Sequence, residues 1–244
     1  MNKQVTSADL ELARSDDADL WFVGNETLYR LCAQRPFHFC AKDSIAKLWL
    51  IGRSYSAAIE RRRTAHETKK REVDEYYEEV AHSLAESDID KVIACVPRET
   101  PTSMAGFAPA LEAHARLVDI LHKHSGSELR SFSSKYLHFH VPNAFFIFDS
   151  IVSLGLKRLG NERLLPGPPV DGVGEPEYCR FVSKVLALRS ELASTNSPPL
   201  TPRQIDRLLL RFGRKRFDKD AAMDLGDDGL RGHPVVNCPN TKFF

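Results

Sequence analysis

The amino-acid sequence predicts an all-α fold. Apolar residues recur at spacings of three and four along most of the chain, which is the periodicity of amphipathic helices. No strand-like alternation of apolar and polar residues persists for more than a few residues, apart from an ambiguous run at 144–148. Residue types that begin helices precede several of these stripes, such as Thr201 before Pro202. We therefore expect one helical domain over 25–213, preceded by an N-terminal extension at 1–24.

The apolar stripes place the individual helices. In chain order, the predicted helices start near Leu28, cover 43–63, 73–84 and 89–95, and then include 110–121, 181–192 and 202–212. Asp43 or Ser44 is expected to cap the helix over 43–63, and Gly126 to end the helix over 110–121. Residues 214–244 are rich in Asp, Gly and Pro and lack helical periodicity, which predicts a polar, flexible or draped tail.

Composition excludes several classes of protein. The chain has 244 residues, 42% of them hydrophobic, which is enough for a sizeable core. Its 34 Lys and Arg against 33 Asp and Glu give a net charge of +1, so it is not a uniformly basic nucleic-acid protein. The sequence has no apolar run long enough to span a membrane and no secretory signal. We expect a monomeric cytoplasmic protein without a membrane partner.

The cysteines and histidines do not predict a metal site. The five cysteines are scattered and none belongs to a CxxC motif, so neither a disulfide framework nor a zinc or iron–sulfur site is expected. His138 and His140 are two positions apart, and such a pair points to different faces of a helix. We therefore expect no metal and no obligatory cofactor.

Charge is strongly segregated along the chain. The segments 53–71 and 203–219 each carry seven basic and two acidic residues, whereas 72–90 carries eight acidic residues and neither Lys nor Arg. These segments are either ordinary solvated helix faces or the two sides of a protein that binds a polyanion on its basic side.

The segment 129–159 carries the chemistry. A turn at 130–133 is expected to follow the long fourth helix, and a new helix to begin at about Ser134 and Lys135. The free N–H groups at the start of such a helix are suited to binding a phosphate. Asp149 follows fourteen positions after Lys135, directly after a very apolar run, and is placed to cap the next helix.

This segment resembles the helix–hairpin–helix superfamily of DNA base-excision glycosylases, in particular the 8-oxoguanine-glycosylase-like lineage. In that superfamily a hairpin of the form Leu-Pro-Gly-Val-Gly-x-Lys is followed by a helix, an apolar run and an Asp that opens the next helix. The hairpin here corresponds to 126–140, with Lys135 and Asp149 at the Lys and Asp positions. The chain departs from the pattern in having Ser131 and Ser133 in place of the hairpin glycines and a shorter spacing between Lys and Asp. The segment 204–213 is also similar to the closing helix of the lineage.

The resemblance implies a DNA glycosylase, with or without lyase activity. The damaged or modified base would be flipped out of duplex DNA, because the sugar carbon cannot be reached inside the stack. Lys135 would attack C1′ as a neutral amine and form a Schiff base, while Asp149 would stabilise positive charge on the sugar or transfer the proton. The protein would act on DNA in the nucleoid or nucleus, in repair or in defence against modified invading DNA.

The resemblance and the charge pattern also give candidate contacts to DNA. The hairpin candidates are Arg130, Ser131, Phe132, Ser133 and Ser134, and the candidates elsewhere are Arg53, Arg61, Arg62, Arg211 and Arg214. His138 and His140 are candidates for the base pocket, although structural roles fit them as well. Trp49 and the phenylalanines at 145–148 are expected to be core.

Two other functions remain open. The first is a non-catalytic DNA-binding module that retains the glycosylase-like fold, which the missing hairpin glycines favour. The second is a helical interaction protein with charged faces, for which the acidic segment 72–90 would be a partner surface.

Overall fold

A computed structural model describes residues 4–16, 19–62, 72–160, 173–193 and 198–214. Ten α-helices form within these ranges, and no strand does, so the all-α prediction is confirmed for the described part of the chain. In order, the helices are α1 Ser7–Arg14, α2 Phe22–Gln34, α3 Ala41–Ser54, α4 Val73–Glu86, α5 Ile89–Ala94, α6 Met104–Ser125, α7 Arg130–His140, α8 Ser150–Arg158, α9 Pro176–Ala193 and α10 Pro202–Arg214. A 3₁₀ turn, Ile59–Arg62, follows α3.

Helix α6 lies at the centre of the domain and contacts α4, α5, α7 and α9. Leu117 and Leu121 on α6 are fully buried, as are Tyr136 and Leu137 on α7. Helix α7 in turn packs against α2 and α3. Both helices of the α6–α7 hairpin are therefore held on several sides, which fixes the side chains that α7 presents.

The local end signals in the sequence are confirmed where they are strongest. Helix α6 ends at Ser125, and Gly126 adopts the left-handed conformation (φ 63°) that favours glycine at this position. Helix α10 begins at Pro202, directly after Thr201. Asp149 caps α8, since its side chain accepts a hydrogen bond from the backbone N–H of Val152. All three signals act over a few residues and need no tertiary partner.

Three local expectations are wrong. The helix predicted over 43–63 begins earlier, at Ala41, and ends at Ser54. It stops there because Ser56 adopts a positive φ of 51°, which is outside the right-handed helical region. Trp49 is 47% exposed rather than part of the core. The predicted boundary at 25 also cuts through α2, and the segment before it contains α1, which packs on α10.

The structure also bears on the predictions for the phenylalanines and the cysteines, whereas other predictions lie outside the described residues. Phe145 and Phe146 are buried, as expected, and the run 144–148 is irregular rather than a strand. Cys32, Cys40, Cys95 and Cys179 are all free thiols. The tail from residue 215 onward and residues 63–71 of the basic segment 53–71 lie outside the described residues. Of the helices that are described, none is long and apolar enough to cross a membrane.

Helices α8 and α10 approach so closely that their contact requires glycine. A Cβ on Gly155 would overlap the carbonyl oxygen of Leu209, and a Cβ on Gly213 would overlap the carbonyl oxygen of Ile151. Arg158 closes the same contact, because its guanidinium donates to the carbonyl oxygens of Phe212 and Gly213, each at 2.8 Å. The helix that Asp149 caps is thus tied directly to α10.

We expect Gly155→Ala to lower the free energy of unfolding by about 3 kcal/mol, because the added methyl group forces the two helix backbones apart. Urea denaturation measures this loss. Gly24→Ala is the matched control, since nothing lies within 4 Å of a Cβ there and the exposed helical position should gain up to about 1 kcal/mol. Equal effects of the two substitutions would contradict the close approach.

Candidate functional site

Helix α7 begins earlier than the sequence predicts, and this changes the surroundings of Lys135. The expected turn at 130–133 is the first turn of the helix, and Lys135 lies in its second turn. Phe132, Tyr136 and Phe139 are all buried, and their spacing of four and three continues one apolar face back to the start of α7. That face extends α7 over Ser131 and Ser133, although serine has a low intrinsic helix propensity.

An extended segment carries the chain back from the end of α7 to Asp149. Ser134 fixes the end of that segment, because its hydroxyl accepts a hydrogen bond from the Phe148 N–H (3.0 Å) and donates to the carbonyl oxygen of Ser131 (3.0 Å). The buried side chains of Phe145 and Phe146 hold the rest of the segment against the core. These contacts place Asp149 beside the middle of α7.

Lys135 and Asp149 form an ion pair, as their predicted shared role requires. The Lys135 Nζ lies 3.3 Å from Asp149 Oδ2 and donates a hydrogen bond to the Ser131 hydroxyl at 2.9 Å. The other carboxylate oxygen, Oδ1, accepts from the Val152 N–H at 2.9 Å. One carboxylate therefore caps α8 and holds the lysine of α7 at the same time.

The two partners differ in exposure. Lys135 is only 3% exposed, whereas the Asp149 side chain is 22% exposed. The Tyr55 ring, at the end of α3, covers the amine from one side, with its centroid 5.9 Å from Nζ. The carboxylate can be reached from solvent in this conformation, and the amine can be reached only after the side chains that cover it move.

A buried polar network adjoins the pair, and sequence reasoning missed it. Arg203 on α10 bonds to Asp206 (2.7 Å), to the Tyr55 hydroxyl (3.2 Å) and to Asp19 (2.9 Å). Burial raises the pKa of Asp206 to about 6, and the negative charge of Asp149 acts in the same direction, against Arg203 and Lys135. The signal in the sequence was the i,i+3 spacing of Arg203 and Asp206, but such pairs are common on solvated helices.

His138 and His140 hold backbone rather than line an open pocket. His138 is fully buried between the Phe145 carbonyl oxygen (2.8 Å from Nδ1) and the Tyr29 hydroxyl (2.7 Å from Nε2). His140 Nδ1 lies 2.9 Å from the Tyr136 carbonyl oxygen, and Nε2 lies 3.3 Å from Lys47 Nζ. Both rings are thus satisfied by the protein itself, which corresponds to their structural interpretation.

A second buried cluster anchors the connection between α2 and α3. His38 lies between Asp90 (Nδ1 to Oδ1 2.5 Å) and the Tyr136 hydroxyl (Nε2 to Oη 2.8 Å). Lys47 is fully buried and donates to the carbonyl oxygens of Arg35 (2.9 Å) and Phe37 (3.0 Å). Burial lowers the pKa of both His38 and Lys47. Both ring nitrogens of His38 and the amine of Lys47 have protein partners, so we assign the cluster a structural role.

The predicted DNA contacts of the hairpin are mostly turned inward. Phe132, Ser133 and Ser134 are buried in α7 and offer no surface to a phosphate. Ser131 is bonded to Lys135, and Arg130 pairs with Glu175 at 2.8 Å and with Glu177 at 3.3 Å.

The candidate DNA contacts outside the hairpin are only partly available. Arg53 pairs with Glu60 at 2.5 Å and Arg211 with Asp9 at 2.8 Å, while Arg61 and Arg214 are exposed. The side chain of Arg62 lies outside the described residues. The sequence gave no indication of the acidic partners of Arg53 and Arg211.

A cleft of about 310 Å³ opens between α8 and α9, next to Asp149 in the chain. Phe148 and Phe181 form an edge-to-face pair on its wall, with ring centroids 5.1 Å apart. Lys157, Arg180 and Lys184 also line it, against a single acid, Glu177. This lining suits a ligand that has both an anionic group and an apolar part. As for metals, the described residues contain no group of three His, Cys, Asp or Glu side chains that could hold one.

Comparison of the chain with models of protein families, with curated proteins and with solved structures finds no match. The function must therefore be inferred from the site itself.

We expect His138 to make stability depend on pH. Burial lowers the pKa of His138 from 6.5 to about 4, so between these values the unfolded chain binds a proton that the folded chain does not. Stability from this group is therefore complete above pH 6.5 and is lost as the pH falls towards 4, by roughly 2–3 kcal/mol at pH 4.5.

The measurement is urea denaturation of the wild type and of His138→Gln from pH 7.5 to 4.5. Asp206 has the opposite sign, since its raised pKa favours proton uptake by the folded chain between about 6 and 3.8. The difference between wild type and variant cancels that contribution. A difference that stays constant over the whole range would contradict the neutral, buried state of His138.

Proposed function

We propose that this chain is a DNA glycosylase with lyase capacity, in which Lys135 is the nucleophile and Asp149 its proton-transfer and electrostatic partner. The observation that carries the proposal is the 3.3 Å contact between Lys135 Nζ and Asp149 Oδ2. This contact joins α7 to the residue that caps α8. The sequence resemblance supports the same two residues. The substrate class is duplex DNA with a damaged or modified base, in repair or in defence against modified invading DNA.

The chemistry divides between the two side chains. The Lys135 ammonium must give up a proton before it can attack, and Asp149 Oδ2 is the oxygen placed to receive it. The amine then forms a bond to the sugar C1′, the C1′–N bond breaks, and the base leaves with the electron pair and takes up a proton. Opening of the sugar ring gives an imine, and loss of the C2′ proton with cleavage of the C3′–O bond cuts the strand.

The carboxylate has a second use in this reaction. Positive charge develops on the sugar as the base leaves, and a carboxylate held at fixed geometry stabilises it without having to reorganise. The capping bond from the Val152 N–H fixes Asp149 in this way. The 22% exposure of the Asp149 side chain leaves one edge of it free to face a flipped nucleotide.

A non-catalytic DNA-binding module is the second candidate, and one observation favours it. Lys135 is 3% exposed and already has two polar partners, which suits a structural ion pair as well as a nucleophile. In this interpretation the pair joins α7 to α8, and the basic surfaces alone bind DNA.

Borohydride trapping separates the two candidates. Duplexes with oxidised, deaminated, abasic and hypermodified bases are incubated with the wild type, Lys135→Met and Lys123→Met. Lys123 is an exposed lysine on α6 and serves as the matched control. We expect a covalent adduct on at least one substrate, lost in Lys135→Met and unchanged in Lys123→Met, because only an amine at position 135 can form the imine.

Circular dichroism is the control for folding of Lys135→Met, so that a lost adduct reports the missing amine. Asp149→Asn keeps the helix cap and should lower the trapping rate by about 100-fold or more, because the proton acceptor is lost. An adduct that persists in Lys135→Met would contradict the assignment of the nucleophile. Salt-dependent DNA binding with neither adduct nor base release on any substrate would replace the enzyme with the binding module.

A further inference from the structure

A stripe of arginines runs along the side of α10 that faces the N-terminal segment. Arg203, Arg207 and Arg211 are spaced four residues apart and therefore lie on one helix face, about 6 Å apart along its axis. Arg214 continues the basic character at the end of the helix. This stripe begins beside the candidate site, because Arg203 bonds to the Tyr55 hydroxyl and the Tyr55 ring covers Lys135.

Acidic residues near the N-terminus cover the arginine stripe. Asp9 lies 2.8 Å from Arg211, Asp16 lies 2.8 Å from Arg207, and Asp19 lies 2.9 Å from Arg203 and 3.2 Å from Arg207. The three acids thus follow the stripe from one end to the other. We call residues 7–16 together with Asp19 the acidic cover.

The ion pairs hold the acidic cover on the stripe together with the buried Ala13 and the partly buried Leu10. Helix α1 has eight residues, which is too short to be stable in water without tertiary contacts. Its buried apolar contribution is small, since Ala13 is the apolar side chain of α1 that is buried. A polyanion that competes for the guanidinium groups would therefore displace a weakly anchored segment.

Carboxylates and phosphates are recognised in the same way by arginine. The planar guanidinium donates pairs of hydrogen bonds to either group, so a row of carboxylates can occupy a row of phosphate positions. Apolar residues flank the stripe: a cleft of about 270 Å³ between cover and stripe is lined by Leu20 and by Trp21, which is 69% exposed. Cations next to an exposed aromatic ring are the combination that binds a nucleic-acid backbone and its unpaired bases.

We propose that the arginine stripe is a binding surface for DNA phosphates, and that in the free protein the acidic cover occupies it with carboxylates. DNA that binds the stripe displaces the cover, so that Arg203 loses Asp19 and keeps its bonds to Asp206 and to the Tyr55 hydroxyl beside Lys135. The choice of DNA as the polyanion rests on the proposed function. The existence of a covered anion-binding surface rests on the ion pairs alone.

The test compares two sets of substitutions that remove the same charge. The cover variant carries Asp9→Asn, Asp16→Asn and Asp19→Asn, which keep side-chain size. The control variant carries Glu11→Gln, Glu26→Gln and Glu78→Gln, three exposed acids away from the stripe contacts. Fluorescence anisotropy with an undamaged 20-base-pair duplex gives Kd for each protein at several salt concentrations.

We expect the cover variant to bind the duplex at least about tenfold more tightly than the control variant at low salt. Its plot of log Kd against log salt should also be steeper, by up to about 0.9 for each arginine that gains a phosphate. Adding Arg207→Gln to the cover variant should remove part of this gain. Equal affinities and slopes for the cover and control variants would overturn the proposal.

Asp16→Asn alone guards against loss of folding in the triple variant. The Asp16 side chain is 64% exposed, so its charge can be removed with little effect on stability, and Glu11→Gln is its single control. Asp16→Asn should bind more tightly than Glu11→Gln, and equal binding would overturn the proposal. The outcome is independent of catalysis: a covered stripe without borohydride adducts leaves this inference standing and removes the enzyme.

Discussion

The carboxylate of Asp149 is the point on which the site and much of its surroundings depend. One of its oxygens closes the N-terminus of α8, and the other holds the amine of Lys135 on α7. Both bonds require the extended segment after α7 to end at one place, which the Ser134 hydroxyl and the buried phenylalanines ensure. The glycine contact between α8 and α10 then carries this geometry to the arginines of α10.

Desolvation gives this arrangement its chemical character. A buried lysine and carboxylate are costly to take out of water, and their mutual attraction with added hydrogen bonds only offsets that cost. Asp206 shows the effect of the same surroundings, since burial and the charge of Asp149 raise its pKa to about 6. At the 3.3 Å distance between Lys135 Nζ and Asp149 Oδ2, the two charges influence one another.

Many cations of the protein are occupied by its own acids. Arg53, Arg130, Arg207 and Arg211 all have a carboxylate within 3 Å. The net charge of +1 sums all residues and therefore does not show where the basic residues lie or which acids pair with them. This pairing explains how the proposed activity on DNA and the covered stripe fit together: a polyanion must compete with local carboxylates before it reaches the site.

Local signals in the sequence predicted three helix ends, and the family resemblance predicted the pairing of Lys135 with Asp149. Gly126, Thr201 and Asp149 act within one helical turn, so their roles could be predicted. The start of α7 was missed, because residues 130–133 were predicted as a turn although the spacing of Phe132, Tyr136 and Phe139 continues one helix face back to them.

The network around the site could not be predicted, because its contacts join residues that are distant in the chain. Asp19 and Arg203 are 184 positions apart, and no local pattern relates them. The exposure of Trp49 could not be predicted for a similar reason, since an apolar residue on a stripe is buried only if another element covers it. Such facts depend on tertiary packing, which a single sequence does not encode at short range.

The central claim is that the Lys135–Asp149 pair is present for its chemistry and that the fold does not need its charges. The most direct measurement is the free energy of unfolding of Lys135→Met, Asp149→Asn and the double variant. Asp149→Asn leaves the buried Lys135 charge without its partner and should lose about 3 kcal/mol. Lys135→Met leaves a carboxylate whose side chain is 22% exposed and should lose less, whereas the double variant, which keeps the helix cap through Asn, should stay within about 1 kcal/mol of the wild type. A double variant that loses as much as the two single variants together would contradict this account and assign the pair to the fold.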